Sequence, residues 1–249
     1  MHKRCSGIRG RLPNGEAFEC AVCRGIYVRE RENQIELMGE PYECVEEFCY
    51  LGDMISAGGG ACASAVARVR NGWRKFRDLL PLLEARGLSL LVKGRIYDAC
   101  VRSAMVYASE TWAIKEEDIQ RLKRAEMRMV RWMCGVSPND KGGRSGFTNE
   151  ELRNKMGLDC ISEVIGRGRL RWYGHVERMD GDNWVSKVRT VYVEGGIGWG
   201  RPKKTLDEVV QADLRAKGLR REDAHDRAVW RAVNRGTGKH MQACKIALK

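Results

Sequence analysis

The sequence predicts a mainly α fold: a helical bundle preceded by a short β-hairpin and, ahead of that, a partial zinc-finger-like N-terminus. Three observations carry this. From Ala61 onward apolar residues recur at spacings of three and four, which is helical periodicity. The stretch "EFCYLGDMISAGGG", residues 47–60, alternates loosely and then runs into glycines, which is the pattern of a strand and turn. His2, Cys5, Cys20 and Cys23 form two close pairs, H-x2-C and C-x2-C, separated by a loop.

Each pair can hold two corners of a tetrahedral zinc site on a single turn, and Gly25 permits the tight turn after Cys23. His2, Cys5, Cys20 and Cys23 are therefore the candidate metal ligands, with zinc the expected ion. Residues 1–33 read as this finger-like unit and 34–60 as the hairpin.

Residues 61–135 read as a helical unit. Val66, Val69, Trp73, Phe76, Leu80 and Leu83 are expected on one face, with Arg68, Arg70, Arg74, Lys75 and Arg77 on the others. Pro81 is expected to end or kink this helix near Leu80. A second helix is expected to turn Leu91, Ile96, Cys100, Val101, Met105 and Ala108 inward. The third starts near Glu116, with acidic residues in its first turn as the helix dipole favours, and stops at Gly135. Its inward residues are Ile119, Leu122, Met129, Val130 and Met133, the methionines acting as core filler.

Residues 136–193 read as a basic helical region that opens on a polar linker. Thr148 and Glu151 make a capping box for a short helix ending at Gly157, and Asp159 is expected to cap the next. In "GRGRLRWYGHVERMD", Arg167, Arg169, Arg171 and Arg178 interleave with Trp172, Tyr173 and His175. Guanidinium groups beside flat aromatics suit phosphates and unstacked bases. The same spacing suits an amphipathic helix that buries Leu170, Trp172 and Val176 and leaves its arginines in water. Residues 194–205 read as a glycine-rich linker ending in Arg201, Pro202, Lys203 and Lys204, an extended basic shape that fits a narrow minor groove. Helices at 206–217 and 222–235 and a frayed tail complete residues 206–249.

The 249 residues carry 45 Lys+Arg against 33 Asp+Glu, a net charge of +12. That excess favours a polyanionic partner, RNA or DNA, and binding that weakens with salt. No apolar run approaches the roughly 20 residues of a membrane-spanning helix. The segment "MHKRCSGIRG" lacks the apolar core of a secretory signal, so an intracellular, nuclear or cytoplasmic location is expected. The ten cysteines are expected to be reduced, without a disulfide framework. The sequence contains no Asp-Asp pair, no H-E-x-x-H, no G-x-S-x-G and no phosphate-binding loop, so no catalytic residue is assigned.

The segments "FCYLGDMIS…GGG", "GRIYDACVRSAMVYASETW", "RLKRAEMRMVRWMCGV", "RGRLRWYGHVERMD" and "GRPKK", in that order, resemble the C-terminal part of reverse transcriptases of non-LTR (LINE-type) retrotransposons, over roughly 44–235. The resemblance implies that Tyr50, Leu51 and Gly52 belong to a primer-grip-like hairpin at the end of the polymerase palm. It implies that the helices after it form a thumb that tracks the template–primer duplex. On this footing Tyr50, Leu51, Gly52, Arg70, Arg74, Lys75, Arg167, Arg169, Arg171, Arg178, Arg201, Lys203 and Lys204 are the candidate nucleic-acid-binding residues. The family's catalytic carboxylates match no position here, so the chain is expected to be an N-terminally truncated piece, inactive by itself, with Mg²⁺ relevant only to the full-length parent enzyme. Some members carry a cross-braced finger before the "YLG" segment. That implies His2/Cys5 and Cys20/Cys23 would serve two different zinc ions, each lacking its upstream partners. The alternative is a self-standing, zinc-dependent nucleic-acid-binding protein.

Overall fold

The computed structural model describes residues 9–11, 17–19, 30–31, 34–37, 40–56, 59–136, 146–190, 192–194 and 204–235. The chain is mainly helical, as the periodicity predicts, and its strands are short and antiparallel. Strands β1 (Arg9–Arg11), β2 (Ala17–Glu19), β3 (Glu30–Arg31), β4 (Gln34–Leu37) and β5 (Glu40–Glu43) precede the expected hairpin. That hairpin is formed by β6 (Glu47–Tyr50) and β7 (Asp53–Ser56), with Phe48 opposite Ile55 and Tyr50 opposite Asp53. The strands β3, β4 and β5 make a meander. A further sheet has the order β2-β1-β8, where β8 (Tyr192–Glu194) pairs Arg9 with Glu194 across most of the chain length. The range 34–60 read as the hairpin thus holds β4 and β5 of the meander as well as β6 and β7, and the β2-β1-β8 sheet is an addition to the sequence reading.

Helix α1 (Cys62–Asp78) buries Ser64, Ala65, Arg68, Gly72 and Phe76. Of the expected face only Phe76 lies in this stripe, while Val69 and Trp73 flank the core. The reason is close approach. The helix packs through its smallest side chains, and a Cβ on Gly72 would stand 2.4 Å from Met105 Cγ. Bulky residues therefore line the edge of the contact rather than its centre.

Pro81 falls in the first turn of α2 (Leu80–Leu83), ending α1 as expected. Helix α3 (Leu90–Ile96) is capped by the Ser89 hydroxyl and runs into one π turn over Tyr97–Arg102 before α4 (Ser103–Val106). The π turn inserts an extra residue and rotates the inward face. Tyr97, Val101, Arg102 and Met105 are buried, whereas Leu91 and Cys100, expected inside, are exposed. A 3₁₀ turn at Ser109–Thr111 leads to α5 (Glu116–Met133). This helix buries Leu122, Met129, Val130 and Met133 as expected, and with them the charged Asp118 and Glu126.

The capping box of α6 (Asn149–Met156) has both of its hydrogen bonds, and Gly157 ends the helix. Helix α7 (Ile161–Glu177) starts from Cys160 rather than from an Asp159 cap. The Asp159 carboxylate is instead engaged by Arg167 at 2.7 Å. Helix α8 (Trp184–Thr190) follows. Helix α9 (Leu206–Lys217), expected at these bounds, has a second capping box, Thr205 with Glu208, and buries Val209, Val210 and Leu214. The last expected helix is divided into a 3₁₀ turn, Glu222–His225, and α10 (Arg227–Val233), because Asp226 caps a new start through Ala228 N–H and Val229 N–H.

Two apolar cores result. The larger runs from Ala61 through Tyr97, Leu122 and Met156 to Ile161 and Ile165. The smaller gathers Leu170, Tyr173, Val210, Leu214, Leu219, Ala224 and Trp230. Helix α7 belongs to both: its first half closes one core and its second half founds the other.

Candidate nucleic-acid interface

The hairpin turn is Leu51–Gly52, with φ of 48° and 80°. Two positive-φ residues in a two-residue loop are what the twist of a β-hairpin requires. Glycine accepts this freely, but leucine does so at a cost, and Leu51 is 76% exposed. Phe48, Tyr50 and Ile55 are also exposed on the hairpin. An apolar, strained tip held out in solvent is not part of either core and is a candidate contact surface.

The hairpin is tied to the helices at four points. Arg68 donates to the Gly52 carbonyl, and its guanidinium stacks 4.5 Å from the Tyr107 ring centroid. The Tyr107 hydroxyl donates to the Leu51 carbonyl at 3.3 Å. Ser64 Oγ donates to the Met54 carbonyl at 2.9 Å, and Trp112 Nε1 donates to Asp53 Oδ2 at 3.2 Å. Arg68, read from sequence as one of the outward cations of α1, is thus buried and structural. The sequence signal was its spacing of four from Ser64 and Gly72, which became meaningful only once that stripe proved to be the inner one. Arg70, Arg74 and Lys75 lie exposed on the outer face of the same helix. None forms an ion pair among the described residues.

The arginines of α7 separate into two kinds. Arg169 is 3% exposed and pairs with Asp213 of α9 at 2.7 Å. Burial pulls its guanidinium below the ordinary value, with Asp213 holding it partly back. Burial likewise pushes the Asp213 carboxyl up against the pull of Arg169. This pair fastens α7 to α9. Arg167 holds Asp159 and Arg178 Nη1 donates to the Ala224 carbonyl, yet both still line a groove. Arg171 is exposed and has no ion pair among the described residues. Trp172 is half-buried against the smaller core and Tyr173 is fully buried, so neither is a stacking platform. Lys204 is exposed just ahead of the Thr205 cap.

The groove has a volume of about 700 Å³ and is lined by Arg167, Arg171, His175 and Arg178 of the α7 segment with Arg227, Arg231, Asn234 and Arg235 of the α10 segment. Among the described residues the lining contains no carboxylate. Arg178 is held below its ordinary value by burial and then by repulsion from Arg227 and Arg231. The α10 residues were missed in sequence, although Arg227, Arg231 and Arg235 repeat at spacings of four.

His2, Cys5, Cys20, Cys23, Arg201 and Lys203 lie outside the described residues. Among the described residues no cluster of three His, Cys, Asp or Glu could hold a metal ion, and no helix is long and apolar enough to cross a membrane. No protein-family model, curated protein or solved structure matches the chain.

Proposed function

We propose that this chain is the template–primer-binding portion of an RNA-directed DNA polymerase of the non-LTR retrotransposon type, with no catalytic carboxylate pair of its own. The observation that carries the reading is the β6–β7 hairpin. It presents an apolar tip at Leu51 and is fixed through Arg68 to α1, whose outer face offers Arg70, Arg74 and Lys75. On this reading the tip abuts the primer backbone, as a primer grip does, and the cations of α1 follow the duplex phosphates. The contacts go to backbone rather than bases, so binding is independent of sequence.

The test is fluorescence anisotropy with a labelled DNA primer annealed to an RNA template, titrated at several salt concentrations. Replacing Arg70, Arg74 and Lys75 by alanine removes three phosphate contacts and is expected to lower the salt slope by about 2.7. Unchanged affinity and slope in that variant would overturn the proposal. So would elongation of the primer by the purified chain, because the reading leaves it without polymerase activity.

A further inference from the structure

The groove between α7 and α10 lies beside the smaller core and is lined mainly by arginines. Its two walls are helical stripes. Arg167, Arg171, His175 and Arg178 follow one face of the α7 segment at spacings of four, four and three, and Arg227 and Arg231 repeat at four on α10. Gly174 is what lets these walls share a groove. The Trp230 indole sits against it, donating to the Leu170 carbonyl at 3.0 Å, and a Cβ there would stand 2.3 Å from Nε1. Sequence positions about fifty residues apart are thereby brought face to face.

Two features mark the groove as built for an occupant. The first is like charge: of the arginines that line it, Arg171, Arg227 and Arg231 are exposed and form no ion pair among the described residues, and no acidic side chain is among the described lining. The second is Asn234. It is nine-tenths buried in the groove wall, and neither its amide oxygen nor its amide nitrogen has a hydrogen-bond partner. A buried amide with both functions unmet is costly unless something completes it.

We infer that this groove binds a single nucleic-acid strand, its phosphates held by Arg171, Arg178, Arg227 and Arg231 and a neutral sugar or base group held by Asn234. A phosphate only accepts hydrogen bonds and would leave the Asn234 oxygen unmet. A nucleotide strand sets hydroxyls and base edges, which also donate, beside each phosphate. The Arg167–Arg178 stripe is about 16 Å long at helical rise. That spans several phosphates at the ~3.4 Å rise of a stacked strand, more than one small anion needs. An acidic peptide is the competing class of partner, but its carboxylates lack the tetrahedral set of oxygens that several arginines can share.

The test uses the full chain in the R70A/R74A/K75A background, so that failure of α1 binding and failure of this groove are read separately. A 12-nucleotide RNA carrying 4-thiouridine is crosslinked and the adducts are mapped. The same oligonucleotide is titrated against R171A/R227A/R231A and N234A. Adducts within 167–178 or 227–235 are expected. The triple variant is expected to bind about tenfold or more weakly, with a salt slope smaller by about 2. N234A is expected to weaken binding with the slope unchanged and no loss of thermal stability, since the amide holds nothing in the fold. Arg171, Arg227 and Arg231 are exposed, so their loss leaves the core intact. Adducts elsewhere, unchanged affinity in the triple variant, or displacement of the RNA by polyglutamate or tripolyphosphate at equal anion concentration would each overturn the inference.

Discussion

Arg68→Ala is the perturbation that separates the hairpin from the bundle. The side chain is 7% exposed, donates to the Gly52 carbonyl in the hairpin turn, and packs its guanidinium on the Tyr107 ring. A hydrogen bond from a charged donor contributes about 1.5–3 kcal/mol, and a partly desolvated cation–π contact about 0.5–2 kcal/mol. Some of this is offset, because Arg68 Nε is buried without a partner and its removal relieves that cost. The expected loss is about 2–4 kcal/mol, which accelerates local opening of the hairpin by about 30- to 1,000-fold. Amide hydrogen exchange reads it directly, at the Tyr50–Asp53 and Phe48–Ile55 pairs against amides in the middle of α5. The hairpin amides should speed up while those of α5 keep their protection, and Arg68→Lys should fall between, retaining charge but losing the planar stack. Equal acceleration in hairpin and α5 would make Arg68 a core residue of the whole bundle. Unchanged exchange in both would mean that Ser64, Tyr107 and Trp112 hold the hairpin without it. Either result refutes the assignment of Arg68 as its anchor.

The buried pair in the larger core gives a second expectation. Glu126 accepts from Arg102 Nε at 3.0 Å and Nη2 at 2.8 Å, and also from the Ile161 N–H, so one carboxylate joins the π turn to α5 and α7. Burial works against the Arg102 charge, yet Glu126, Tyr97 and Asp98 together hold it above its ordinary value. Glu126→Leu alone should cost about 3–5 kcal/mol in denaturant unfolding, whereas Arg102→Met with Glu126→Leu should recover most of that loss. The capping box of α6 carries a pH expectation. Backbone and side-chain hydrogen bonds from Thr148 hold the Glu151 carboxyl below its ordinary value. Its contribution is therefore present above the unfolded value and lost as pH falls through the lower, folded one. Amides at the start of α6 should lose protection across that acid window; Glu151→Gln should abolish the change, whereas Thr148→Ala, which keeps the backbone donor to Glu151, should only reduce it.

What was legible in the sequence was local. The capping box at Thr148, the stop at Pro81 and the inward face of α5 each depend on residues within a turn of one another. On α3 to α4 the expected Val101 and Met105 are buried, but Leu91 and Cys100 are exposed and Tyr97 and Arg102 take inward places. A π turn over Tyr97–Arg102 is invisible to a periodicity of 3.6, which accounts for Cys100 and Arg102 but not for Leu91 ahead of it. The arginines failed differently. A sequence shows that Arg167, Arg169, Arg171 and Arg178 share a helix, but what each one does is set by a partner elsewhere in the chain. Arg169 is taken by Asp213, 44 residues away, and Arg68 by a carbonyl 16 residues before it. Arg171 gains its setting from Arg227 and Arg231, which meet it only because Trp230 seats against Gly174. Net charge therefore gives the excess of cations without saying which of them the fold itself uses. What the fold adds is each cation's partner: Arg68, Arg102, Arg167 and Arg169 are engaged by carbonyls or carboxylates, whereas Arg70, Arg74 and Lys75 on α1 and Arg171, Arg227 and Arg231 in the α7–α10 groove are exposed and form no ion pair among the described residues.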